Sequence, residues 1–232
     1  MELIIEGIHK AISLIVSLDR DVFSVLFLTI EVTLASTCIS AIIGMLLGTL
    51  VALNEFPGKT FVAGIINTGM GVPPVVVGLF TTLLLWRGGI FGNFEILYTP
   101  AAIVIAQVLI ATPMVTGITL SALQQVPKNF RLQILALGAS RTQMLFILYR
   151  QARLPLLAAI MAGFGSVISE VGAAIMVGGN IKGSTRVLTT ATVMETSRGN
   201  FDTAIAFGII LLALSFSVNL ILSHLQQKGR IK

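Results

Sequence analysis

Leu132-Gln133-Ile134-Leu135-Ala136-Leu137-Gly138-Ala139-Ser140-Arg141 is a basic, helix-forming stretch set among five apolar runs, each long enough to cross a bilayer. The segment around it, Pro127 to Arg153, is too polar to span and too regular to be a linker. Phe130, Ile134, Leu137, Met144 and Ile147 recur near helical spacing, interrupted at Gly138-Ala139-Ser140. That pattern predicts two short helices with a turn at the glycine. It leaves an apolar face for a partner, with Arg131, Arg141, Arg150 and Arg153 at the edges. The same pattern also suits a loop packed on its own membrane helices.

The 232 residues are 55% hydrophobic and only 11% charged, with a mean hydropathy of +0.96. A soluble chain carries about a quarter charged residues, so this one has too little polar surface to face water, and lipid must be its main solvent. The expected fold is an all-α membrane protein of about five spans, at roughly 23–53, 60–86, 98–123, 154–178 and 202–225. The first run is long enough to tilt or project beyond the bilayer. Thr99 and Pro100 supply a cap and a first-turn proline for the third.

Before these spans, Ile4, Ile8, Ile12 and Ile15 share one helical face, opposite Glu6, His9, Lys10 and Ser13. Residues 1–20 therefore read as an amphipathic helix lying in the membrane interface. Glu2 and Glu6 in place of a basic start argue against a signal peptide. The organisation is thus an interfacial helix, a membrane domain at 23–225 with a connecting segment at 126–153, and a basic tail at 226–232.

Charge sets the direction. With the N-terminus outside, the inner face gathers Lys59, Lys128, Arg131, Arg141, Arg150, Arg153, Lys228, Arg230 and Lys232 against Glu55 alone. The outer face has Lys10, Arg20, Arg87, Lys182, Arg186 and Arg198, outnumbered by acids from Glu2 to Asp202. This positive-inside bias places residues 126–153 and the C-terminus in the cytoplasm of a multi-pass cell-membrane protein. It also explains the net charge of +5 through topology and anionic lipid, and the cations are too scattered for a nucleic-acid groove.

Several chemistries are excluded. The chain has no Gly-x-x-x-x-Gly-Lys-Ser/Thr phosphate loop. His9 and His224 belong to no cluster of metal ligands, and no Ser–His–acid set presents itself. Cys38 is alone, so no intrachain disulfide forms. No cofactor is expected on this chain.

Inside the spans, Ser36, Ser40, Gly44, Gly48 and Ala52 recur every four residues, a stripe that lets another helix approach closely. Gly71, Pro73, Pro74 and Gly78 predict a break in the second span. Proline lacks the amide hydrogen, and Pro74 disfavours helical geometry at Pro73. Backbone exposed by such a break must face protein or a water-filled path. Pro113 predicts a second bend. Thr112, Thr116 and Thr119 share one side of the third span, and Ser166, Ser169 and Glu170 cluster in the fourth. Such hydroxyls suit either a pathway for a polar solute or hydrogen bonds between helices. Glu170 is a functional candidate by its depth. A carboxylate repels an anion, so a gate, helix-positioning or dimer-contact role fits it better than substrate contact. Residues 178–200 read as a long polar outer loop, either solvated or a docking surface for an external partner.

The run Ala136-Leu137-Gly138-Ala139-Ser140-Arg141, followed by Phe146 and Leu154-Pro155, resembles the cytoplasmic signature of ABC importer permeases. The signature's leading Glu-Ala-Ala is Leu132-Gln133-Ile134 here, and its later proline is Gln151. Asn67 to Leu79, Ser169 to Ala173, and Val177-Gly178-Gly179-Asn180-Ile181 through Thr190 resemble the tungstate branch, close to the molybdate and sulfate permeases. The resemblance implies a type I ABC importer permease fold, with residues 136–141 as the coupling element. It further implies a homodimer, a cytoplasmic ATP-binding subunit holding ATP and Mg, and an external oxyanion-binding protein. Two other classes remain open on the residues alone. A secondary transporter would accommodate Glu170 but needs repeated broken halves that are not evident, and a membrane scaffold would leave the Pro-Pro break unused.

Overall fold

The computed structural model describes residues 2–17 and 19–228. Within them, regular structure is entirely helical. In chain order the helices are α1 (Glu2–Val16), α2 (Arg20–Leu53), α3 (Lys59–Met70), α4 (Pro74–Leu85), α5 (Pro100–Gln124), α6 (Lys128–Ala136), α7 (Arg141–Gln151), α8 (Arg153–Ile168), α9 (Gly172–Gly178), α10 (Leu188–Ser197) and α11 (Phe201–Lys228). Arg230 and Lys232 of the expected basic tail lie outside the described residues.

Three helices, α2, α5 and α11, have the length and apolarity to cross a bilayer, and taking the bent pairs α3–α4 and α7–α8 as one span each brings the possible count to five. At 1.5 Å per residue the 34 residues of α2 extend about 50 Å, well beyond a hydrocarbon core of about 30 Å. Asp19 begins α2, its carboxylate accepting the Val22 amide at 3.0 Å. Thr99 and Pro100 begin α5 as their order predicts, with the Thr99 hydroxyl accepting from the Ala102 amide. Large apolar side chains such as Ile42, Leu46, Leu212 and Phe216 point outward, as they must where the surroundings are lipid or another membrane chain.

The stripe of small residues on α2 faces α5. A Cβ at Gly44 would meet the Val115 side chain at 2.7 Å, and one at Gly48 would come 2.7 Å from the Thr116 carbonyl oxygen. Without those side chains the backbones approach closely enough for dispersion to hold them, the main attraction available between helices in lipid. Between these contacts and the N-terminal end of α2, Ser36 donates to Gln107 Oε1 at 2.8 Å, while Gln107 Nε2 donates to the Val167 carbonyl at 3.3 Å. One buried amide thus joins α2, α5 and α8.

Three expectations need correction or sharpening. The fourth span is no continuous helix: α8 ends at Ile168 and α9 begins at Gly172. Residues 178–200 are no simple solvated loop. They contain α10, whose Leu188, Thr189, Thr190 and Ala191 are buried, with Leu188 and Ala191 packed against Val22, Val25, Phe207 and Ile210. Its threonines mask the apolar character of this stretch, because their hydroxyls find partners within the protein: Thr192 donates to Leu188 O, Thr190 to Val187 O and Thr189 to Glu170 O. The N-terminal helix forms as predicted, and it packs along α11 through its small residues. Gly7 lies against Ile205, Ala11 is buried, and Ile5, Ile8, Ile12 and Ile15 remain exposed.

Candidate translocation and coupling sites

Two places carry the residues singled out above. The first is the place where the break between α3 and α4 meets the break between α8 and α9. Helix α3 ends at Met70, capped by Gly71, and α4 restarts with Pro74 at its first position, the two axes bent by 99°. Pro73 takes an extended ψ of 126°, as the following proline requires, and its carbonyl accepts the amides of Val76 and Val77. The break sits beside α5, which runs on as one helix through Pro113. A Cβ at Gly69 would lie 2.9 Å from Pro113 Cβ.

The break in the fourth span meets α4. A Cβ at Gly78 would lie 2.7 Å from Ala173 Cα, and one at Gly172 would lie 2.8 Å from Val75. Between α8 and α9, Glu170 is buried, with Oε1 accepting the Ala173 amide at 2.7 Å. Its own carbonyl accepts the Thr189 hydroxyl of α10 at 2.9 Å. The residue therefore occupies the junction of three helices, and its carboxylate supplies an acceptor for an amide left orphaned by the break. Of the partners open to it in sequence, the structure selects a backbone amide.

The hydroxyls separate into two groups. Thr116 and Thr119 are buried toward α2, and Thr116 donates to Thr112 O at 2.7 Å. Thr112 and Ser166 are partly accessible, and Ser169 is exposed. Both serines donate back along α8, to Gly163 O and Gly165 O. Pro73 is exposed on the other broken span. Gln107 escaped sequence reasoning, although an amide within an apolar run was a visible signal.

The second place is the turn between α6 and α7. Gly138 has φ +86°, in the left-handed region open to glycine. Its amide donates to Leu135 O and that of Ala139 to Ile134 O, closing α6 in a Schellman motif. Ser140 then starts α7 with reciprocal bonds: Gln143 N to Ser140 Oγ at 3.3 Å and Ser140 N to Gln143 Oε1 at 2.8 Å. This shapes residues Ala136 to Arg141 into a defined corner. Leu137 is 87% exposed and Phe146 70% exposed, both lining a concavity of about 710 Å³ with Gly138 and Gln143.

Anchors hold the corner to the spans. Leu148 is fully buried with Val51, Ala52 and Leu120, and the Tyr149 hydroxyl lies 2.7 Å from Thr49 Oγ1. Arg131 donates to the Leu123 carbonyl at the end of α5. Burial lowers the Arg131 pKa while nearby Glu55 raises it. At the other end of the bundle, Lys182 pairs with Asp21 and Arg198 with Glu195, so these loop charges are internally balanced. Arg186 is partly buried against Asn180 and Met194. Desolvation and then Arg198 lower its pKa, with Glu195 and Asp21 opposing.

Residues 20–231 match the family described as binding-protein-dependent transport system inner membrane component. A probable anion ABC transporter permease protein of Haloferax volcanii is 41% identical over 201 residues, covering 84% of this chain and 87% of that protein. The tungstate uptake system permease protein TupB of Peptoclostridium acidaminophilum is 37% identical over 228 residues, 98% of this chain and all of that one. Among solved structures, the MetNI methionine ABC transporter in an inward-facing conformation superposes with a TM-score of 0.73 at 17% identity. That match covers 92% of this chain and 98% of the other. The fold is that of the type I ABC importer permeases.

Proposed function

The chain belongs to the family of binding-protein-dependent transport system inner membrane components, and on that premise we propose that it carries tungstate, a tetrahedral oxyanion, into the cell as the permease subunit of an ABC importer. The observation that carries the substrate is the match along essentially the whole chain with a tungstate uptake permease. The relative from Haloferax volcanii, named for anion transport, supports the same charge class. Molybdate and sulfate share shape and charge with tungstate, so discrimination among them falls mainly to an external binding protein.

In this reading two copies of the chain enclose the path, with the C-terminus and the α6–α7 corner in the cytoplasm. A separate ATP-binding subunit, which holds ATP and Mg, receives the corner at residues 136–141. Its exposed Leu137 and Phe146 supply the apolar contact. ATP-driven closure of that subunit displaces the corner, and the spans exchange outward for inward access. A loaded binding protein must favour the outward state, since a ligand shifts an equilibrium only by its differential affinity for the two states.

The path is assigned to the two helix breaks, with Pro73, Pro74, Thr112, Ser166 and Ser169 nearest it and Thr116 supporting it from the α2 side. Ser166 and Ser169 can offer donors to an oxyanion by turning their hydroxyls away from Gly163 O and Gly165 O, with no fixed cation to retain it. Glu170 acts by holding α9 in place.

The test is uptake of labelled tungstate into vesicles containing this chain, its ATP-binding subunit and its binding protein, with ATP or a non-hydrolysable analogue. ATP-dependent accumulation that resists excess sulfate is expected. Accumulation without ATP hydrolysis refutes the importer reading, and competition by sulfate or molybdate at equal strength refutes the choice of tungstate.

A further inference from the structure

The displacement of a docked corner is useful only if it reaches the spanning helices. Helix α7 begins at the corner, stiffened there by the Ser140–Gln143 capping box, and runs 11 residues, about 16 Å. At its far end stands Tyr149, half-buried, with its hydroxyl 2.7 Å from Thr49 Oγ1 of α2. The direction of this bond follows from the proton count. Thr49 donates its single hydroxyl hydrogen to Met45 O at 2.6 Å, so Tyr149 donates to Thr49. Met45 O also lies 3.5 Å from the Tyr149 hydroxyl, a second acceptor on the same turn of α2.

Thr49 is buried, and the residue before it, Gly48, is where α2 lies tightest against the Thr116 carbonyl of α5. The neighbouring contact, Leu148 among Val51, Ala52 and Leu120, is apolar. Apolar surfaces tolerate sliding, whereas a directional bond fixes the register of one helix on another.

We propose that Tyr149 is a positioning residue that locks α7 to α2 through Thr49, so that displacement of the Gly138 corner is delivered to the spans. This rests on the reading of the chain as an ATP-driven permease. Tyr149→Phe keeps the ring and its packing, and it leaves Thr49 bonded to Met45 O, so no buried polar group is orphaned. Thr49→Val removes the acceptor, and Thr49→Ser restores it.

The experiment measures labelled tungstate uptake and ATP hydrolysis in the same proteoliposomes, each variant assembled with the wild-type ATP-binding subunit and binding protein. The quantity read is tungstate accumulated per ATP hydrolysed. Tyr149→Phe and Thr49→Val are each expected to lower this ratio about fivefold or more, the lower end of usual coupling between sites. The double variant should be no worse than the poorer single one, and Thr49→Ser should stay near wild type. A residue that only supports the fold lowers uptake and hydrolysis in step, so an unchanged ratio in Tyr149→Phe overturns the proposal. Independent, multiplying losses in the double variant overturn the pairing. Wild-type vesicles without ATP-driven uptake refute the transport reading itself, whereas active wild type with an unchanged Tyr149→Phe ratio refutes this inference alone.

Discussion

Replacing Gly138 by proline tests the corner most directly. Gly138 sits at φ +86° and donates its amide to Leu135 O at 3.0 Å. Proline holds φ near −65° and has no amide hydrogen, so the substitution demands a rotation of about 150° and removes that bond. The lost bond accounts for about 1 kcal/mol, but the rotation is decisive, because the corner cannot form with proline in it. Gly138→Ala isolates the backbone cost. No atom lies within 4 Å of an added Cβ, so nothing clashes and the left-handed φ is the whole penalty, about 1–2 kcal/mol. Where the free segment relaxes and docking must restore the turn, that penalty weakens binding of the ATP-binding subunit by up to about 5- to 30-fold. The assay is titration of that subunit onto the variant permeases in nanodiscs, followed by uptake in vesicles. Alanine should give a partial loss of affinity. Proline should abolish coupled uptake while the amount inserted in the membrane stays normal, since the corner lies outside the spans. Normal affinity and uptake in Gly138→Pro would refute the coupling assignment.

Other predictions follow from the broken spans and the topology. Glu170→Ala removes the acceptor for the Ala173 amide and should cost about 1–3 kcal/mol, seen as a lower melting temperature in detergent. Glu170→Gln keeps an oxygen there and should melt closer to wild type; equal losses in both would contradict the capping role. Gly78→Val drives side-chain atoms into Ala173, whose Cα already limits a Cβ to 2.7 Å. Overpacking of about 1–3 kcal/mol should reduce uptake far more than Gly64→Val, where the space is open. Gln107→Leu breaks the links to Ser36 and Val167 but orphans neither, because the Ser36 hydroxyl can turn to Val32 O and Val167 O accepts the Glu170 amide. Its thermal destabilisation should stay below about 2 kcal/mol, within the range of such bonds in membranes. A reporter fused after Lys232 should be cytoplasmic, and external accessibility would reverse the topology.

Much of the molecule was legible in one dimension because the relevant physics is local or set by the bilayer. Apolar runs of bilayer length declare spans, and the small residues from Ser36 to Ala52 declare a close-packed face. The adjacent prolines declare a break, since a missing amide hydrogen acts on the residue that lacks it. Gly138 followed by Ser140 declares a helix end and a helix start. Composition failed at residues 178–200, where the threonines of α10 look solvated until their hydroxyls are seen to bond to carbonyls of the protein itself. It also failed at Ser169 to Val171, where no proline marks the break in the fourth span.

The apolar composition, the long helices α2, α5 and α11, the break at Pro73-Pro74 and the corner at Gly138 could be read from the chain alone, each being a property of a residue and its near neighbours. Tertiary structure alone decided that the two broken spans meet at Gly78 and Ala173, and that Glu170 answers a backbone amide. It alone placed Gln107 between three helices and Tyr149 on Thr49, 100 residues distant in the chain. Those facts depend on which helix faces which, and close packing sets that only when the whole bundle is assembled.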